Sequence, residues 1–404
     1  MNTPKIRFKG FTDDWEQRKL GEVVGIYDGV HQTPQYQDSG IMFLSVENIT
    51  TLKSEKYISE EAFERDYKVY PEKGDILMTR IGDVGTTNVV QTKEKVAFYV
   101  SLALLKPKEI NSYFLSNAMK TSVFQKGLRE RTLVTAIPQK INKDEIGRVN
   151  VFITNNAEEQ KKIGDYFTAL DHLITLHQRK CDETKQLKKF MLQKMFPKNG
   201  EKNPKIRFEG FTDDWEQRKS GQIAPLRGGY AFKSNEYCSD GIPIVRISNI
   251  LSDGSVGADF AYYDEQDTDE IYTLYDGAVV LAMSGATTGK VSVLCDEKGQ
   301  KYYQNQRVGY FIPTDICDYK FVKTIMRSRL FADQLSAVLV AGAQPNVSSK
   351  EIDGFKFLIP QSKNEQKKIG EYFSTLDNLI TLHQRKCEKL KELKKYMLHN
   401  TFIE

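Results

Sequence analysis

Cysteine is scarce in this chain of 404 residues: there are five, at 181, 238, 295, 317 and 387, and no Cys-x-x-Cys pair. An odd, scattered set argues against a disulfide framework and fits a reducing compartment. Histidine is as rare, with five, and tryptophan rarer, with two. No run approaches the ~20 apolar residues of a membrane-spanning helix. The opening stretch, Met1 to Phe11, lacks the apolar core of a secretory signal. The expectation is a cytoplasmic protein with no membrane partner. A strong charge of one sign is also missing. The net charge is +4, and the basic surplus falls in the first half. That excludes a histone-like coat, yet it allows a nucleic-acid reader whose positive charge is confined to one face.

Catalytic signatures are missing too. The stretch Gly285 to Lys290 approaches a phosphate-binding loop, but its spacing is one residue short and Val291 stands where Ser or Thr should follow. No Gly-x-Gly-x-x-Gly lies between a strand and a helix. Gly-x-Ser-x-Gly, His-Glu-x-x-His and the Pro-Pro-Tyr motifs of adenine methylation are absent. Asp296-Glu297-Lys298 reads as a charged turn. The expectation is a chain with no catalytic residue, no bound metal and no cofactor of its own.

What the chain does have is repetition. Residues 4–19 and 204–219 match at fifteen of sixteen positions. Residues 159–196 and 365–402 share 26 identities in 38. Between these constant segments the halves keep only echoes, such as Gly40–Ile49 with Gly241–Ile250. A period near 200 residues is far too long for a solenoid repeat. It describes a tandem duplication with two constant modules and one variable module per half. Constant surfaces suit two copies of one partner or mutual packing. Divergent modules suit two different ligands of one class. The expected boundaries are 1–158 and 198–364 for the modules, and 159–197 and 365–404 for the constant segments that follow.

The constant segments have helical periodicity. Ile163, Phe167, Leu170, Ile174, His177, Cys181 and Thr184 step by four and three, a heptad seam repeated from Ile369 to Leu390. Tyr166, Leu173, Leu187, Phe190 and Met191 widen it. Each predicted helix is about 57 Å long and too long to stand without a partner. Mutual packing about a pseudo-two-fold axis makes an antiparallel coiled coil, a ruler with a variable module at each end. His177 with Cys181, and His383 with Cys387, are one turn apart on one face. They suit either a His2Cys2 zinc site or a polar stretch of seam that fixes register.

The variable modules are rich in short β-like runs: 41–46, 75–80, 86–90, 96–105 and 148–153, then 243–247, 278–283, 290–294 and 308–312. Helical spacing follows at 110–128 and 318–339. The fold class predicted is α+β, a curved sheet with a few helices in each module. Polar residues lie on Gly-rich connections. In the first module these carry His31, Gln32, Arg80, Thr86, Thr87 and Asn88. In the second they carry Arg227, Tyr230, Lys233, Ser284, Thr287, Lys290, Gln306, Arg307 and Asn346. Arg, Asn, Gln, Ser and Thr on loops are the residues that read base edges and phosphates. Arg227 or Arg307 is placed to hold a guanine, Asn346 an adenine, and Lys233 and Lys290 are phosphate contacts.

The ordered set of the FTDDWEQRK entry, the strand from Gly241 to Ile250, the loop 284–290, the segment Gln344 to Ser348 and the EQKKIG…LITLHQRK helices occurs in a duplicated frame. In this it resembles the specificity subunits of type I restriction-modification systems, over nearly the whole chain. The first module departs from the pattern at Ala136 to Gln139, where the Gln-Pro-Asn order is not kept. The resemblance implies that each module is a target recognition domain reading one half of a bipartite asymmetric sequence in double-stranded DNA. It implies that the helices are a spacer. It implies two modification subunits, methylating adenine with S-adenosylmethionine, and two restriction subunits using ATP and Mg. The contrasting expectation is a coiled-coil scaffold that bridges two copies of a protein partner and reads no DNA.

Overall fold

The computed structural model describes residues 3–198, 200–296, 299–341 and 346–403. It divides into two compact units, Met1–Arg179 with His383–Glu404, and Lys180–Leu382. Each unit thus takes part of both long helices, which run Ala157–Lys194 and Lys363–Thr401.

In the first unit, strand Glu16–Lys19 pairs antiparallel with Asn150–Ile153, so the module's entry and exit lie side by side. A four-stranded antiparallel sheet follows, ordered Val24–Asp28, Leu102–Pro107, Ile76–Thr79, Thr87–Val89. A smaller sheet joins Tyr57–Ile58, Ile41–Leu44 and Val96–Phe98, the last two in parallel. The apolar runs form strands where expected. The run 96–105 is two strands, Val96–Phe98 and Leu102–Pro107, bent apart between them. The stretch 110–128 is likewise two helices, Ser112–Ala118 and Ser122–Arg131. The break comes at Thr121, whose hydroxyl accepts from the Phe124 N–H and caps the second helix.

The second unit repeats this plan. Strand Glu216–Lys219 pairs with Lys356–Ile359. Its main sheet is ordered Leu226–Gly228, Val308–Phe311, Val279–Ala282, Val291–Val293. Its second sheet gains a strand, Thr273–Leu274. The expected helix 318–339 is again two, Tyr319–Met326 and Arg329–Ala341.

The sequence kept two constant segments per half because they hold each other. Arg7 forms a bidentate pair with Glu159, which is fully buried, one contact at 2.9 Å. Arg207 repeats it on Glu365 at 2.7 and 2.9 Å, and Trp215 donates to the same carboxylate at 3.3 Å. Hydrogen bonding to the buried carboxylate raises the pKa of both guanidinium groups. Phe8 packs edge-on against Tyr166, and Phe208 against Tyr372. Gly164 sits where the long helix meets the helix starting at Ser112; a Cβ there would lie 2.6 Å from the Asn111 side chain. Gly370 is under the same constraint, 2.6 Å from the Phe321 nitrogen.

Each unit's core is completed by the far end of the other half's helix. Phe402 is buried against Trp15, Phe114 and Phe167 in the first unit. Phe196 is buried against Trp215, Phe321 and Phe373 in the second. Within the first unit the helix contacts run in opposite chain directions: Phe167 with Phe402, Asp171 with Lys394, His177 with His383. Within the second they are antiparallel as well, from Phe196 with Phe373 to Lys188 with Asp377 and Cys181 with Ile380. The seam is narrower than expected, because Leu173, Leu187 and Phe190 are exposed. The polar seam positions make contacts of their own. The Nδ1 atoms of His177 and His383 lie 3.0 Å apart, and the Cys387 thiol faces the Ile174 carbonyl at 3.9 Å. Among the described residues no three His, Cys, Asp or Glu side chains gather as a metal site.

Candidate nucleic-acid interface

In the first unit, strand Val24–Asp28 leads into Gly29, which lies against a neighbouring chain segment. A Cβ on Gly29 would sit 2.4 Å from the Phe98 carbonyl, so only glycine permits this approach. The chain then emerges as His31 and Gln32, both exposed, with the His31 carbonyl facing the Tyr99 hydroxyl at 3.5 Å. A second connection leaves strand Ile76–Thr79 through Arg80. A third is the hairpin from Leu133 to Lys140, closed by paired backbone hydrogen bonds between those two residues. The hairpin is tied to the second connection, since Gly82 N–H donates to Gln139 O and Gln139 donates back to Gly82 O, both at 2.9 Å. The Ile141 N–H donates to the Arg80 carbonyl beside it. Hydrogen bonds thus fasten the hairpin to the second connection, while the first pairs through Val30 with Phe98 and Val100, next to Ser101, whose carbonyl accepts from the Arg80 N–H.

The second unit builds a matching cluster. Gly229 is as tightly placed, 2.3 Å from the Gln304 carbonyl for a Cβ. Tyr230 N–H donates to Gln304 O and its own carbonyl accepts from Gln306 N–H, each at 2.8 Å. Met283 links the other two segments, donating to Arg307 O and accepting from Val347 N–H. Tyr230, Gln306, Arg307 and Asn346 are exposed on these four tied segments. Tyr230 stacks on Tyr272 with ring centroids 4.9 Å apart, which fixes its ring as a rigid face. Gln344 and Pro345 lie outside the described residues.

Several expected readers are otherwise engaged. Arg80 is buried and ion-paired with Asp28, and its Nε donates to the Ile141 carbonyl at 3.1 Å. Burial pushes its guanidinium pKa down. Arg227 donates to the Gln304 side chain at 3.0 Å and to the Thr273 carbonyl at 2.9 Å, and its guanidinium lies over the Tyr310 ring. These two arginines brace the loops. Thr87 is buried on Ser116, and Ser284 is buried at the start of a short helical turn. In this structure Arg80, Arg227 and Thr87 already hold partners within the unit, and Ser284 is buried. Thr86 is hydrogen-bonded to Asp83, Asn88 to the Ile49 and Thr50 carbonyls, Thr287 to the Ile247 carbonyl and Lys290 to Ser252. These hold neighbouring loops. Lys233 is exposed and pairs with Glu236 at 2.9 Å, a surface contact that water and salt weaken readily.

The residues missed from the sequence are those of the hairpin. Ile137 is 100% exposed, Val134 70% and Leu133 46%, with Gln139 and Lys140 exposed beside them. Their signal was two apolar residues followed by Ile-Pro with no periodic partner.

The family model of the type I restriction modification DNA specificity domain matches residues 12–186 and again 212–392. The chain is 23% identical over 402 residues to the type I restriction enzyme MjaVIII specificity subunit of Methanocaldococcus jannaschii, covering 96% of this chain and 92% of that protein. It is 21% identical over 421 residues to the putative MjaX specificity subunit of the same organism, covering 98% and 95%. A crystal structure of the type I restriction-modification S subunit from M. genitalium superposes with a TM-score of 0.72 at 14% identity, over 100% of this chain and 99% of that one. The two matched segments take in most of both halves, constant helices included, so the chain belongs to the type I restriction-modification DNA specificity family.

Proposed function

We propose that each unit reads one half of a bipartite DNA target, through the loop cluster around His31, Gln32 and the 133–140 hairpin in the first and around Tyr230, Gln306, Arg307 and Asn346 in the second. The observation that carries this is a constant frame bearing two dissimilar loop sets on matching strand ends. Identical glycine-enforced turns, Gly29 and Gly229, launch different side chains. A frame held constant while its loops diverge gives two different half-sites and hence an asymmetric sequence. The apolar hairpin tip suits thymine methyl groups, and Arg307 suits the acceptor pair of guanine.

Partner subunits supply the chemistry in this reading: two modification subunits with S-adenosylmethionine, and restriction subunits with ATP and Mg. Their docking faces are repeated apolar side chains on the long helices. Leu173, Leu393 and Tyr396 are exposed in the first unit, and Leu187, Phe190, Leu379 and Leu382 in the second. What supports this reading is their recurrence at equivalent positions of the repeat, Leu173 with Leu379, Leu187 with Leu393 and Phe190 with Tyr396. No described helix is long and apolar enough to cross a membrane. Selection from a random duplex pool by the assembled complex tests the reading. Enrichment of two short conserved blocks at a fixed gap is the expected result. A pool that stays random with the complex assembled refutes it and leaves a scaffold.

A further inference from the structure

The first unit holds a cleft of about 740 Å³ that the loop clusters do not use. One wall is the edge strand Thr87–Val89 with the loop around Thr51 and Lys53. The other is formed by the helix end at Asn117 and Lys120, by Asp171, His172 and Thr175 of the first long helix, and by Lys394. The charges do not balance. Lys53, Lys120 and Lys394 face the cleft with one carboxylate, Asp171, and Lys394 already occupies that carboxylate.

The second unit shows what a balanced version looks like. Asp377 stands where Asp171 does in the repeat, and it accepts from both Lys188 and Arg327, the latter at 2.9 Å. Arg327 follows the helix that ends at Met326, as Lys120 follows Met119. In the second unit both cations converge on one acid. In the first, Lys120 forms no ion pair among the described residues, and its nearest acceptor is the Asn117 amide oxygen at 3.4 Å. The residue as a whole is exposed, and it lines the cleft. Desolvation by the cleft walls, then Lys394, push its pKa down. Two ammonium groups that share one carboxylate leave a net positive charge in the cleft, which an anion would neutralise.

We infer that this cleft is a phosphate-binding site, with Lys120 as its principal cation and Lys394 behind it. Its volume far exceeds that of a phosphate ion and falls in the range of ligand pockets, about 300–1,000 Å³. The phosphate therefore belongs to something larger, either the backbone of the DNA proposed above or a free nucleotide. A nucleic-acid source rests on the proposed function; a nucleotide source does not.

The test compares the full chain, in its partner complex, with Lys120→Gln and Lys120→Arg. One arm measures duplex affinity across a salt series. A backbone contact predicts that Lys120→Gln loses roughly tenfold in affinity on every sequence alike, and that the salt slope falls by about 0.9. Lys120→Arg retains both. The other arm titrates AMP and inorganic phosphate, followed by calorimetry. A nucleotide site predicts AMP binding that Lys120→Gln abolishes while duplex affinity stays unchanged. If Lys120→Gln alters neither arm, the inference is wrong even though duplex binding stands. If the wild-type complex binds no duplex, the reading of DNA fails, and the AMP and phosphate titrations still decide the site.

Discussion

Replacing Phe402 by alanine should destabilise the first unit from a distance of more than 200 residues in sequence. Phe402 is 3% exposed, and its ring centroid lies 5.9 Å from Trp15, 5.5 Å from Phe114 and 5.8 Å from Phe167. A buried Phe→Ala exchange costs about 3–5 kcal/mol, because transfer and cavity terms add. Stability of a domain is only about 5–15 kcal/mol. For a unit of this size each kcal/mol moves the midpoint by about 2–4 °C, so the shift should be about 6–20 °C. The chain has two tryptophans, and each lies in one core. In a Trp215→Phe background, fluorescence of Trp15 alone reports the first unit. Phe402→Ala should lower the Trp15 transition by the stated amount in both heat and denaturant. The mirror experiment uses Phe196→Ala with Trp215 as reporter. A Trp15 transition that does not move in Phe402→Ala refutes the claim that the C-terminal helix end completes this core.

The constant segments should be energetically coupled. Arg7→Ala leaves Glu159 buried and unpaired, which should destabilise the first unit by about 3–5 kcal/mol; the double variant with Glu159→Gln should recover much of that, as denaturant melts of all four proteins would show. Acid should act on the second unit through Asp269. Hydrogen bonds from Lys301 and Tyr303, each at 2.6 Å, hold its carboxyl below the usual carboxylate range. A depressed folded pKa contributes stability above the unfolded value near ~3.9 and loses it as pH falls through the folded value, so Asp269→Asn should flatten the stability profile below about pH 4, read by Trp215 fluorescence. In the loop clusters, Ile137→Ser and Arg307→Ala should each relax one position, in different half-sites, by about 1–3 kcal/mol of discrimination; selected motifs from the variant complexes check this, and relaxation of the same half-site by both would contradict the assignment of one cluster per half.

Much of the frame was legible because it follows from apolar pattern. The runs at 75–80 and 278–283 hold buried strands, that at 41–46 a half-buried one over Ile41–Leu44, and the long helices begin within two residues of their expected starts. Strands made of polar residues were not legible. Glu16–Lys19 and Glu216–Lys219 carry no apolar alternation, and they form because Trp15 and Leu20, or Trp215 and Ser220, are buried at their ends. In the site, exposed loop residues such as His31, Gln32, Tyr230, Gln306 and Arg307 stand where spacing put them, on the surface beside strand ends. The bracing of Arg80 and Arg227 was not legible because their partners are remote. Asp28 is 52 residues from Arg80, and Gln304 is 77 from Arg227. No local pattern reveals that an arginine on a Gly-rich loop is already braced. The hairpin was missed for the converse reason: apolar residues predict burial, and here the backbone pairing of Leu133 with Lys140 holds them out in solvent.

The central claim is that this chain chooses the DNA sequence on which its complex acts. Sequencing of methylated adenines in cells with and without the chain, partner subunits expressed in both, tests it most directly. The account predicts the loss of one asymmetric bipartite motif with a fixed gap, and its return on complementation. An unchanged set of methylated motifs, with those subunits present, would contradict it.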